Sequence, residues 1–238
     1  MPAGADIAHN LESVRRRIAE AAERTHRSPA DIRLIAVSKT FDAEAIRAAA
    51  AAGQRAFGEN RVQEGLDKIA ALESLGLDWH LIGHLQSNKA RKAATAFAWI
   101  HTIESVELLK RVDDAARQSG VRPQVLIQVD LAHEVTKHGA REAEVSDLVH
   151  RALDARRIDL RGLMTVPPIP TDPEESRPWF RQLREVRDRL VAAGIPAPAM
   201  RELSMGMSHD FEVAIDEGAT MVRVGTAVFG RRTPAAPA

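Results

Sequence analysis

Lys39 is the first residue whose type and position together suggest chemistry. It follows the apolar run Ile32-Arg33-Leu34-Ile35-Ala36-Val37-Ser38, which reads as a buried strand. Apolar walls disfavour the ammonium form, so an amine at such a strand end gains the lone pair needed to form a Schiff base with a carbonyl. The plainer reading is a lysine that reaches solvent. A second cluster lies far downstream. Leu203-Ser204-Met205-Gly206-Met207-Ser208 and Met221-Val222-Arg223-Val224-Gly225-Thr226-Ala227 each carry a short strand into a turn of glycine and hydroxyl residues. Glycine lets the backbone approach a phosphate, and Ser204 and Thr226 would add hydroxyl donors. Ser208 reads equally well as the N-cap of a helix starting near His209. Strand alternation turns Arg223 to the same side as Gly225. If that side is a barrel interior, the guanidinium needs a buried acceptor, either a cofactor ring nitrogen or a carboxylate.

Phe57-Gly58-Glu59-Asn60 ends another strand, and Asn60 could cap the next helix or offer its amide to a ligand. His80 and His84 are four apart, but they straddle a strand and a turn rather than one helical face, so no metal site is expected from them. His133-Glu134-Val135-Thr136-Lys137-His138-Gly139 reads as a connector or a lid. No Gly-x-Ser-x-Gly elbow is present.

These residues need a scaffold. Short apolar runs at 32–38, 54–58, 78–82, 98–102, 124–129, 159–163, 201–204 and 221–225 alternate with helical patterns near 43–52, 60–74, 87–96, 105–119, 141–155, 175–193 and 209–217. One extra helix precedes them, with Ile7, Leu11, Val14, Ile18, Ala21 and Ala22 at helical spacing, and its Arg15-Arg16-Arg17 run reads as a solvated face. Eight strands, the first seven each followed by a helical pattern, read as a (β/α)8 barrel with an added N-terminal helix. A doubly wound open sheet has the same alternation, since periodicity does not register closure. In the barrel, active sites sit at the C-terminal ends of the strands, and the last two strands form the usual phosphate corner. The expected organisation is one domain over 1–232, followed by a disordered tail at 233–238.

Composition narrows the chemistry further. With 33 basic and 33 acidic residues the formal net charge is zero, so nucleic acid is not the default partner. The absence of cysteine removes disulfides, thiolate nucleophiles and cysteine metal sites, and the absence of tyrosine removes the phenol as an acid or base. No apolar stretch is long enough to span a membrane, and the first residues lack a signal-peptide pattern. A cytoplasmic protein is expected.

Taken together, Ala36-Val37-Ser38-Lys39-Thr40, Phe57-Gly58-Glu59-Asn60, the stretch Trp79 to Lys89, Gly162-Leu163-Met164 and the run from Leu203 to Gly230 resemble one family. It is that of the pyridoxal phosphate homeostasis proteins, of YggS/PROSC type. The resemblance implies a (β/α)8 barrel like the alanine racemase N-terminal domain, with pyridoxal 5′-phosphate (PLP) at its mouth. Lys39 matches the lysine that holds PLP as an internal aldimine. Ser204, Gly225 and Thr226 match phosphate-binding positions, with Met205 and Gly206 supplying nearby backbone. Arg223 matches the arginine facing the pyridine nitrogen, and Asn60 the asparagine beside the cofactor. Lys137 matches a lysine of a secondary PLP interaction, while His84 stands where some relatives have proline.

An arginine at the ring nitrogen cannot accept its proton, which weakens the ring as an electron sink. Alanine racemase also uses a tyrosine as second base, which this chain does not supply. The resemblance therefore implies a monomeric carrier and regulator that limits free PLP and releases it to apo-enzymes, with effects on amino-acid and keto-acid balance. A PLP-dependent racemase using His84, His209 or Lys137 as second base is the alternative, and a PLP-free Schiff-base aldolase a third.

Overall fold

The computed structural model describes residues 4–132 and 138–230. All eight expected strands form. They are β1 (Arg33–Val37), β2 (Ala56–Glu59), β3 (Asp78–Leu81), β4 (Trp99–Ile103) and β5 (Gln124–Asp130). After a two-residue strand β6 (Ala140–Arg141) come β7 (Asp159–Met164), β8 (Glu202–Met207) and β9 (Met221–Val224). Every pairing is parallel, β1 lies beside both β2 and β9, and β4 pairs with β5. That last pairing closes the ring. The structure is thus an eight-stranded barrel, with β6 appended to the end of β5.

The helices are α1 (Gly4–Arg24), α2 (Ala43–Ala51), α3 (Val62–Ala71), α4 (Ala90–Ala96), α5 (Val106–Ser119), α6 (Glu142–Leu153), α7 (Arg177–Ala192), α8 (Phe211–Asp216) and α9 (Thr226–Phe229). Their limits follow local chemistry. Asp42 and Ser105 cap α2 and α5 by accepting from the N–H of Ala45 and Leu108, and Gly120 ends α5 in the left-handed conformation at φ 71°. The four-residue α9 and two-residue β6 escape sequence reading because neither is long enough to show a period.

Strand alternation sorts the core into two shells. Ile35, Ala56, Trp99, Leu126, Met164 and Met221 form a cluster of their own inside the barrel. Their outward-facing neighbours, among them Leu34, Ala36, Val125, Leu163, Val222 and Val224, pack in the larger cluster with the helices. In α1 the six apolar positions read from the sequence are all buried. The arginine run on α1 is not a plain solvated face. Arg17 donates to Glu212 at 2.6 Å with its guanidinium 4.6 Å from the Phe211 ring, and Arg15 donates to the Ala52 carbonyl, so the run ties α1 to α8 and α2. Arg16 pairs within the helix, with Glu20 at 3.8 Å.

Glu217, at the end of α8, receives Arg177, Arg181 and Arg184 of α7 at 3.1, 3.1 and 3.0 Å. Burial pushes its carboxyl up, but hydrogen bonds from Arg181 and Arg177 and the charge of Arg184 outweigh burial and hold it below the ordinary carboxylate range. A lowered folded pKa means stability that is present above the unfolded value of about 4.3 and lost as pH falls through the folded one. Glu217→Gln is expected to lose about 2 kcal/mol at pH 7, less than a fully buried pair because the arginines are partly exposed. The gap to wild type should close below roughly pH 4 in denaturant titrations.

Candidate functional site

At the end of β1, Lys39 is half-buried and sits between two anchored neighbours. The Ser38 carbonyl accepts from Lys68 Nζ at 2.7 Å, and the Thr40 N–H donates to Glu64. Lys68 Nζ also donates to Glu59 and Glu64 at 2.7 Å each, and the Ser38 hydroxyl donates to Glu59 at 2.6 Å. Three acceptors use all three Lys68 protons, so Lys68 is a cross-link and not an amine available for attack. The clamp holds Thr40 at φ 67°, a left-handed conformation that strains a β-branched residue by about 1–3 kcal/mol. Burial pushes the Glu59 carboxyl up, although Lys68 and Ser38 oppose it. Neither carboxylate stands out in the sequence. Lys68 lies four residues after Glu64 on one helix face, which was the only local signal.

The β9 side meets the end of β1 just before Lys39. Ile35 pairs with Arg223 in register, and a Cβ at Gly225 would come within 3.3 Å of both Cβ and O of Val37. Arg223 is 3% exposed and its partners are neutral: Nη1 donates to Ser204 Oγ at 2.6 Å and Nη2 to the Thr165 carbonyl at 2.8 Å. No carboxylate is hydrogen-bonded to it among the described residues, so the ion-pair alternative is not what forms. Burial pulls its pKa down to about 10, with Asp210 opposing, and the guanidinium stays charged at neutral pH.

Ser204 is fully buried inside the barrel, its hydroxyl shared between Arg223 and His101 Nδ1 at 2.9 Å. His101 Nε2 in turn lies 2.9 Å from His80 Nδ1. Burial holds both imidazoles well below their ordinary pKa, reinforced at His80 by the charge of Arg33 and at His101 by His80, Arg223 and Arg33. Each neutral ring therefore has one N–H. Arg223 only donates, so the assignment that gives the Ser204 proton a partner runs from Arg223 to Ser204, then His101, then His80. The final group, His80 Nε2, has no partner among the described residues. Hence Ser204 is occupied in holding Arg223.

The hydroxyl that stands at the turn is Ser208, which accepts from the N–H groups of Gly225 and Ala227 at 3.1 and 3.3 Å. It does not cap α8, whose N-cap position is Asp210. Asp210 ties the turn by accepting from the Met207 N–H at 2.7 Å and the Ser176 hydroxyl at 2.8 Å. Gly206 has φ 89°, and a Cβ there would collide with Ala214 at 2.5 Å, so glycine lets β8 pack against α8. Met205 points away into the outer core, while Thr226 is exposed.

Asn60 is half-buried at the end of β2. It is not the cap of α3, whose N-cap is Arg61. Gly83 packs so tightly on it that a Cβ would lie 2.3 Å from the Asn60 carbonyl, which makes Gly83 a support for Asn60. His80 and His84 are separated as expected: His80 is in the barrel core and His84 at its rim. Lys137 and the tail at 233–238 lie outside the described residues. Among the described residues no helix is long and apolar enough to cross a membrane.

The comparisons with known proteins agree with this architecture. The chain matches the family described as alanine racemase, N-terminal domain, over residues 6–233. A pyridoxal phosphate homeostasis protein from Escherichia coli is 47% identical over 234 residues, covering 95% of this chain and 97% of its relative. PipY from Synechococcus elongatus, solved with PLP bound, is 42% identical with a TM-score of 0.83, covering 94% of this chain and all of PipY. Alanine racemase from Corynebacterium glutamicum shares the fold at TM-score 0.70 and 21% identity, with 96% of this chain matching 62% of the enzyme. The family match over residues 6–233 and the 47% identity across nearly the full length of both chains place this closed eight-stranded barrel in the family of the pyridoxal phosphate homeostasis proteins.

Proposed function

We propose that this protein binds PLP at the C-terminal mouth of a single barrel domain spanning 1–232, with Lys39 as the covalent attachment. It then serves as a monomeric cytoplasmic reservoir that limits free PLP and passes it to apo-enzymes. The carrying observation is the meeting of β1 and β9, where Lys39 comes two residues after Val37, Gly225 packs on Val37, and Arg223 presents a buried charge whose hydrogen-bond partners among the described residues are neutral. Such a mouth fits an anionic ligand bearing an aldehyde. PLP supplies that aldehyde, which a lysine amine captures reversibly.

The chain's own residues have separable tasks in this reading. The Ser38–Glu59–Lys68–Glu64 clamp fixes the backbone on both sides of Lys39. Gly225, Thr226 and Ser208 would receive the phosphate, with the backbone of Met205 and Gly206 shaping the turn beneath it. Asn60 would flank the ring from β2, supported by Gly83. Arg223, held by Ser204, would stand at the ring nitrogen, where a guanidinium cannot yield an acidic partner and so disfavours electron-sink chemistry. The chain has no tyrosine to act as a second base. Both features support holding the cofactor without turnover.

Purified protein mixed with PLP should acquire the visible absorbance of a lysine-bound cofactor and retain it when alanine is added, with no racemisation in the same tube. Turnover at about 1 per second or faster would instead establish a racemase. Failure to acquire the band would remove the PLP assignment.

A further inference from the structure

The barrel mouth carries a second cluster of ligating groups, on the opposite arc from β1 and β9. His84 follows β3, Glu104 follows β4 directly, and His138 precedes β6 beside the end of β5. Because β3, β4 and β5 are consecutive in the ring, their three loops deliver these side chains to one stretch of rim. Glu104 Oε1 lies 3.3 Å from His84 Nδ1 and 3.8 Å from His138 Nδ1, and ligand atoms of all three residues fall within 4.8 Å of one another. Two imidazoles and a carboxylate are a donor set for borderline divalent ions such as zinc. A tetrahedral ion with bonds of ~2.0–2.1 Å separates neighbouring donors by about 3.3 Å, the spacing between His84 and Glu104.

One feature of this cluster points to a ligand. Glu104 Oε2 is buried and has no hydrogen-bond partner among the described residues, so this oxygen bears a desolvation cost that a bound cation would offset. The imidazoles of His84 and His138 stack 3.5 Å apart with planes 13° from parallel, which brings both Nδ1 atoms toward the same carboxylate. Rotation about their soft χ2 torsions would splay the rings and converge the lone pairs. His84 also lines one cavity with Asn60, Gln86 and Lys89.

We propose that His84, Glu104 and His138 form a rim site for a divalent transition ion of the zinc class, its fourth position open to water. The site shares no residue with those proposed to hold PLP, and it stands or falls separately. Protein stripped with EDTA and desalted is titrated with ZnCl2 by calorimetry and with CoCl2 by visible absorbance. Wild type should saturate at one ion per chain, and the cobalt form should show the intense visible bands of four-coordination. His84→Ala, Glu104→Gln and His138→Ala should each weaken binding at least tenfold. The two histidine side chains are 34% and 52% exposed, so their removal opens no core cavity. Absence of saturable binding by wild type, or unchanged affinity in any of the three variants, would overturn the three-ligand assignment.

Discussion

Lys39→Ala is expected to abolish the visible absorbance that PLP acquires on the protein, together with the mass increment that borohydride reduction would fix on the wild type. Stability should change by no more than about 1 kcal/mol, because the residue is half-buried at a strand end rather than packed in the core. The discriminating measurement is intact-mass spectrometry after reduction, with circular dichroism to verify the barrel. A retained adduct would name another lysine as the attachment point. Lys68 is a poor candidate although its Nζ lies at the carbonyl of neighbouring Ser38, since its three protons are committed to Ser38, Glu59 and Glu64. The variant therefore separates a specific attachment from general lysine reactivity.

Lys68→Met is expected to produce the largest loss of stability. It leaves Glu59, which is wholly buried, without its cation, and breaking a buried pair in this way costs about 3–5 kcal/mol. At this chain length that lowers the thermal midpoint by roughly 10 °C. The pH dependence has a definite sign. Burial raises the Glu59 pKa in the folded state, and removing Lys68 raises it further, so protonation favours the folded variant. The deficit should shrink as pH falls. Adding Glu59→Gln to Lys68→Met should recover part of the loss, as expected for coupled neighbours, and a strictly additive double mutant would refute the clamp. Because the clamp holds Ser38 and Thr40 on either side of Lys39, Lys68→Met should also weaken PLP capture about tenfold or more, measured at a temperature where both proteins are folded.

The family was legible in the sequence because it rests on contiguous motifs. Val37-Ser38-Lys39, the stretch from Trp79 to Lys89 and the run from Leu203 each join a strand end to the residues just beyond it. Such local order survives in one dimension. The eight strands were legible for a related reason: each is a short apolar run bounded by turn residues, and their alternation with helices is a periodic signal. Buried α1 positions from Ile7 to Ala22 follow the same logic.

Partnerships between distant residues were not legible. Ser204 carries a hydroxyl beside a glycine turn and reads as a phosphate donor. Only the barrel shows that it points inward, with Arg223 at 2.6 Å and His101 at 2.9 Å, while Ser208 occupies the turn. The arginine run on α1 reads as solvated until Glu212 and Phe211, almost 200 positions later, are folded against it. His84 is paired in sequence with His80, yet in space it meets Glu104 and His138.

Sequence alone determined the family, the strand count and the placement of Lys39 at a strand end, since all three depend on side-chain type and short-range order. Tertiary structure decided closure, which is the pairing of β4 with β5, and thereby decided which polar groups share the barrel interior. The physical reason is that a buried polar group must find its partner wherever the ring brings one. That partner is set by strand neighbours, not by distance along the chain.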